Sequence, residues 1–92
     1  MKVRWSPEAV GDLKRLHGFL AKVNPLAAVR TLRRLESAPD RLIAHPRIGR
    51  RLEVEPAARE VRSFFERQYE MRYEIQGETI YILRVWHGRE DR

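Results

Sequence analysis

The chain has 92 residues, 42% apolar and 35% charged, with no cysteine. That length suits a single domain over residues 1–92, and the composition excludes disulfides, thiolate metal sites and a cysteine nucleophile. Nineteen Lys and Arg against thirteen Asp and Glu give a net charge of +6, and no apolar run approaches the length of a bilayer span, so the chain is expected in the cytoplasm with an acidic or nucleic-acid partner.

Lysine occurs only at Lys2, Lys14 and Lys22; the other sixteen cations are arginine. Arginine grips phosphate or carboxylate through two parallel hydrogen bonds, although arginine-favouring codons in a GC-rich genome produce the same bias.

In chain order, Lys2-Val3-Arg4-Trp5 alternates as a short strand does, and Ser6-Pro7-Glu8 supplies a capping hydroxyl, a first-turn proline and an acid for a helix start. Val10, Leu13, Leu16, Leu20 and Val23 then form an apolar stripe, with Asp12, Lys14, Arg15 and Lys22 assigned to other faces. Asn24-Pro25 repeats the start signal, and Ala28, Leu32, Leu35 and Leu42 carry a second stripe that Pro39 kinks or restarts. His45-Pro46-Arg47-Ile48-Gly49-Arg50 opens a long irregular connection, expected to be the most mobile segment.

Glu60–Phe65, Tyr69–Ile75 and Ile80–Trp86 read as three strands, with Gln76-Gly77-Glu78 as a hairpin turn. Tyr69, Met71, Tyr73 and Ile75 share one face of the middle strand, leaving Glu70, Arg72 and Glu74 on the other. The expected fold is therefore α+β, in the order β-α-α-β-β-β, with a two-helix hairpin on one face of a small antiparallel sheet and a charged face open to a partner.

Arg59, Arg62, Arg72, Arg84 and Arg89 lie on or beside the late strands, so alternate ones can converge on that open face; the alternative is ordinary solvated surface. Simple alternation places Arg84 with Ile80, Ile82 and Trp86, opposite Tyr81, Leu83 and Val85, with Glu60, Glu70 or Glu74 as its expected partner. His87 leaves the final strand between Trp86 and the basic Arg89 and Arg92, either as an acid–base group or as a hydrogen-bonded residue at the sheet end. Arg47, Arg50 and Arg51 form a second basic cluster and Arg30, Arg33 and Arg34 a third, while His17 reads as a packing residue and His45 as a turn residue. No metal, cofactor, phosphate loop or nucleophile elbow is indicated by spacing.

The ordered set Val3-Arg4-Trp5-Ser6-Pro7-Glu8-Ala9, the helix break at Asn24-Pro25, His45-Pro46-Arg47-Ile48-Gly49-Arg50, Arg59-Glu60-Val61-Arg62, Tyr69-Glu70-Met71-Arg72-Tyr73 and Ile82-Leu83-Arg84-Val85-Trp86-His87-Gly88-Arg89 resembles the RelE/ParE family of bacterial type II toxins, the plasmid-stabilisation type. The resemblance implies a toxin held inactive by a cognate antitoxin in a hetero-oligomer. It also implies one of two targets: DNA gyrase, in ParE-like members, or messenger RNA in the ribosome, in RelE-like endoribonucleases. For RNA cleavage, His87, Arg84 and Arg89 would supply the proton acceptor and the cations; for target binding, Arg59, Arg62, Arg72 and Trp86 are the candidates. No tyrosine follows His87 and no lysine lies beyond Lys22, which departs from the RelE-like pattern, so gyrase is the favoured target. A degenerate toxin or a nucleic-acid-binding module is the third reading.

Overall fold

A computed structural model describes residues 1–90. The elements run β1 (Lys2–Trp5), α1 (Pro7–Ala21), α2 (Pro25–Ser37), α3 (Asp40–Ala44), β2 (Arg50–Arg51), β3 (Glu60–Glu66), β4 (Tyr69–Gln76) and β5 (Thr79–His87). The strands form one sheet in the order β1-β5-β4-β3-β2. Strands β2 to β5 pair antiparallel, as the short turns require, whereas β1 joins the free edge of β5 in parallel, so the sheet is mixed.

Both helix starts behave as their residues dictate. The Ser6 hydroxyl accepts the Ala9 N–H at 3.0 Å and Asn24 Oδ1 accepts the Ala27 N–H at 3.1 Å, with Pro7 and Pro25 in the first turns. Ser6 also ties α1 to the sheet, because its N–H donates to the Ile82 carbonyl and its hydroxyl to the Leu83 carbonyl, both at 2.9 Å. Pro39, which lacks the N–H needed to continue α2, separates it from the short α3.

Helix α1 is rolled relative to its expected stripe. Ala9, Asp12, Leu13 and Leu16 are the buried positions, whereas Val10 is exposed and Val23, also exposed, falls beyond the end of the helix. These four share a helical face as regularly as the aliphatic set does, and Asp12 joins it because the sheet edge offers the carboxylate partners. Leu13, Leu16, Leu35 and Leu42 pack on Tyr69, Met71, Tyr73, Ile75, Ile80, Ile82 and Val85. Each such buried aliphatic contributes about 1.5–3 kcal/mol.

The segment expected to be mobile is instead pinned at its start. The Tyr73 hydroxyl donates to the Pro46 carbonyl at 2.7 Å and accepts the Gly49 N–H at 3.0 Å, and Arg62 donates to the Gly49 carbonyl at 2.8 Å. A Cβ on Gly49 would lie 2.7 Å from the Tyr73 hydroxyl and 2.8 Å from the Ser63 carbonyl, so only glycine fits. Irregular backbone stays ordered here because side chains from β3 and β4 satisfy its polar groups.

Candidate functional site

A bulge in β5 decides which residues share a surface. Arg72 lies opposite Arg84 but Tyr73 lies opposite Ile82, so Leu83 is the extra residue. Alternation therefore restarts: Ile80, Ile82, Val85 and His87 take the helix side, and Tyr81, Arg84 and Trp86 the outer side. This corrects the expected grouping of Arg84 and Trp86 with Ile80 and Ile82, which assumed an uninterrupted period of two.

On the outer side the Trp86 ring carries two guanidinium groups, Arg72 at 4.7 Å and Arg84 at 5.0 Å from its centroid. Trp86 itself is only 9% exposed, so the guanidiniums rather than the indole meet solvent. Arg59 joins this face through Glu74, with contacts of 2.7 and 3.1 Å, and that hydrogen bonding holds the Glu74 carboxyl below its ordinary pKa. Strand register adds Arg4, opposite Tyr81, and Arg50, opposite Ser63, so each of the five strands or its flank contributes an arginine. Arg4 was legible in the alternation of β1, and Arg50 belongs to the basic cluster of the long loop.

Arg62 does not belong to that face. It stands opposite Tyr73 on the helix side, where its Nε donates to Glu60 at 2.9 Å and its Nη1 holds the Gly49 carbonyl. Phe64 and Tyr73 pack edge to face beside it. There it holds the loop, and the expectation that it lies on the open face with the other arginines is corrected by the parity of β3.

The partner of Arg84 is neither Glu60, Glu70 nor Glu74 but Asp12 of α1, through contacts of 2.8 and 3.1 Å. Strand β1 pairs with β5 only as far as Ile82, leaving the backbone of Val85 on an open edge. Asp12 accepts the Val85 N–H at 2.9 Å and Arg15 donates to the Val85 carbonyl at 3.2 Å, so helix side chains replace the missing strand. Burial alone would raise the Asp12 carboxyl, but hydrogen bonds from Arg84, the Val85 N–H and Arg15 outweigh it and hold the pKa below 3.8. Glu70 accepts the Ser63 hydroxyl at 2.7 Å and a longer contact from Arg72 at 3.4 Å, while the buried Arg72 Nε has no hydrogen-bond partner among the described residues.

His87 lies on the opposite side of the sheet from this cluster. It is across from Tyr69, whose ring it meets edge-on with centroids 5.2 Å apart. Its Nδ1 accepts the Arg89 N–H at 3.0 Å, and its own N–H donates to Glu90, which in turn pairs with Arg15. The tail is thus folded back against α1. His87 and Arg89 line a groove of about 730 Å³ between the helix hairpin and the β3–β4 turn. Of the three residues expected to serve RNA cleavage, the structure brings His87 and Arg89 together and separates Arg84 from them. Arg92 lies outside the described residues.

The remaining candidates are peripheral. His17 is half-buried on α1, and His45 ends α3 in solvent. Arg47 pairs with Glu60 at 2.9 and 3.0 Å, Arg30 and Arg33 are exposed, and Arg34 reaches toward Glu66 and the groove. Among the described residues no three His, Asp or Glu side chains are grouped so as to hold a metal ion, and no helix is long and apolar enough to cross a membrane.

Residues 3–92 match the family described as ParE toxin of type II toxin-antitoxin system, parDE. Among characterised proteins the chain is 38% identical over 88 residues to Toxin RelE1 of Caulobacter vibrioides, covering 95% of this chain and 92% of that one. It is 36% identical over 81 residues to Toxin ParE3 of the same organism, covering 86% and 78%. Among solved structures, a chain of the chromosomal ParDE TA system from P. aeruginosa superposes with a TM-score of 0.75 at 24% identity, over 95% of both chains, and shares the fold. A chain of the toxin-antitoxin complex RelBE2 from Mycobacterium tuberculosis superposes with a TM-score of 0.63 at 30% identity, over 94% of this chain and 88% of that one.

Proposed function

The chain belongs to the ParE toxin family of type II toxin-antitoxin systems, and on that premise we propose that it arrests growth by inhibiting DNA gyrase and is neutralised by a cognate antitoxin. The observation that carries the choice of target is the separation of His87 from Arg84. Cleavage at a ribose 2′-hydroxyl needs a proton acceptor and a cation within hydrogen-bond reach of one phosphate. Here the imidazole faces the helices with its Nδ1 engaged by its own tail, and Arg84 faces outward on Trp86 with Asp12 as its counter-ion. The outer face suits binding rather than bond-breaking: its arginines are held in place by Glu74, Glu70 and Asp12 as fixed positive groups for an acidic protein surface, and His87 is not among them.

Ribosome-dependent cleavage of messenger RNA is the competing reading, favoured by the 38% identity to a protein named RelE1. Induced expression without antitoxin, followed by gyrase supercoiling assays with the purified chain and mapping of transcript ends, separates the two. Loss of supercoiling with intact transcripts is the expected result. Codon-phased cleavage that disappears in His87→Ala would replace the proposal, and unimpaired growth would identify a degenerate toxin or a nucleic-acid-binding module.

A further inference from the structure

We infer that Phe65 is the apolar anchor of an interaction surface on the outer face of the sheet, and that this surface takes an acidic protein patch containing an apolar recess. The inference rests on the proposed function only in taking that partner to be gyrase.

Strand β3 directs Val61, Ser63 and Phe65 to the outer side; the first two are buried, whereas Phe65 is 58% exposed. The difference follows from the length of β2, which pairs with β3 only at Arg62 and Ser63 and continues toward Val61 through the Leu52 N–H. Beyond Ser63 that edge has no neighbouring strand, so Phe65 is flanked by β4 alone. Among the described residues it is the only large apolar side chain of any strand that stands open to solvent.

A single exposed apolar side chain is ordinary; the neighbours of this one are not. Phe65 lies opposite Glu70, which lies opposite Trp86, and the adjacent row across the sheet runs Arg50, Ser63, Arg72, Arg84. Direct neighbours in such rows are about 5 Å apart and diagonal ones about 7–8 Å. The ring therefore sits within two strands of three guanidinium groups. Aromatic and arginine side chains grouped in this way are the composition of an interface centre.

Depth decides the charge that a partner meets. Three carboxylates pair with arginines on this face, yet each lies beneath its partner: the Arg59, Arg72 and Arg84 side chains are 36–43% exposed, those of Glu74, Glu70 and Asp12 only 5–11%. Solvent thus meets guanidinium, and an incoming carboxylate can take the place of water there while the buried acid keeps its bond. Trp86 already holds two of these groups over its ring, so little side-chain freedom is lost on contact. A nucleic-acid strand would instead stack successive bases on several open rings. Here Trp86 is buried under its arginines and Tyr81 is half-buried, which leaves Phe65 as the one open ring among these three.

The test uses the full chain with purified gyrase, a single-stranded oligonucleotide, and induced expression without antitoxin. Gyrase binding is expected to weaken about tenfold or more in Phe65→Ala, with unchanged melting because the ring is exposed, and less than about threefold in Phe65→Leu, which keeps an apolar group of similar size. Phe19→Ala, which removes an exposed ring on the helix side, should bind as the wild type does. Unaltered gyrase binding in Phe65→Ala, or an equal loss in Phe19→Ala, would overturn the inference. So would oligonucleotide binding that Phe65→Ala and Phe65→Leu abolish alike, since base stacking needs the ring and an apolar recess does not. The target reading fails separately: if gyrase is neither bound nor inhibited while growth arrest still requires Phe65, gyrase is the wrong partner and the anchor stands. If wild type and Phe65→Ala inhibit gyrase equally, the anchor falls and the target stands.

Discussion

Tyr73 shows how one polar atom can order a loop. Its ring is fully buried and its hydroxyl bridges the Pro46 carbonyl and the Gly49 N–H, while burial raises its pKa above 10.0 and so keeps the donating proton in place. Tyr73→Phe should cost about 1–2 kcal/mol in denaturant unfolding and speed amide exchange at Gly49, because it removes both hydrogen bonds without opening a cavity. Gly49→Ala should cost more, about 2–3 kcal/mol, since its Cβ would press on a strand carbonyl as well as on the hydroxyl. An equal melting temperature for either variant would show that the loop is held elsewhere. Glycine at this position was legible only as a helix breaker; its steric role comes from Ser63 and Tyr73, both distant in the chain.

At the scale of elements, the capping signals were readable because they act within one turn, whereas each shift from expectation arose where two elements meet. Ser6 illustrates both. Its cap on α1 follows from Ser-Pro-Glu, but its hydroxyl also donates to Leu83, the bulged residue of β5. Ser6→Ala is expected to destabilise the chain by about 1–2 kcal/mol, the sum of a lost cap and a lost hydrogen bond to the strand. Thermal melts would check this, and a loss confined to a few tenths would mean that water replaces both contacts. The roll of α1 has the same origin: Asp12 turns inward because β1 stops short and the Val85 N–H would otherwise lack a partner. The bulge itself adds one residue between Ile82 and Val85, and that one residue moves Trp86 and Arg84 to the outer face.

Across the whole molecule, acid should weaken the fold through three depressed carboxyls. Asp12 is stabilised against burial by Arg84, Val85 and Arg15, Glu60 chiefly by Arg47, and Glu74 chiefly by Arg59. A carboxyl whose folded pKa lies below its unfolded value adds stability above the unfolded value, and that stability is lost as pH falls through the folded one. The unfolded values lie near 3.8 for Asp and 4.5 for Glu, so stability should be level above about pH 5 and fall below pH 4. Asp12→Asn should flatten that acid limb in denaturant titrations at several pH values. An unchanged slope would mean that the depressed carboxyl of Asp12 contributes little to acid lability.

The order of elements, both helix starts, the break at Pro39 and the oily face of β4 were determined by the sequence alone, because caps, proline geometry and side-chain periodicity act over a few residues. The same local reach made the family resemblance recognisable. The parallel docking of β1, the bulge at Leu83, the Asp12–Arg84 pair and the opposite placement of His87 and Arg84 were decided only by tertiary structure. Each depends on which strand edge is left unpaired once the sheet has assembled, and that is a property of contacts between residues some seventy positions apart. Periodicity within a single strand carries no record of them.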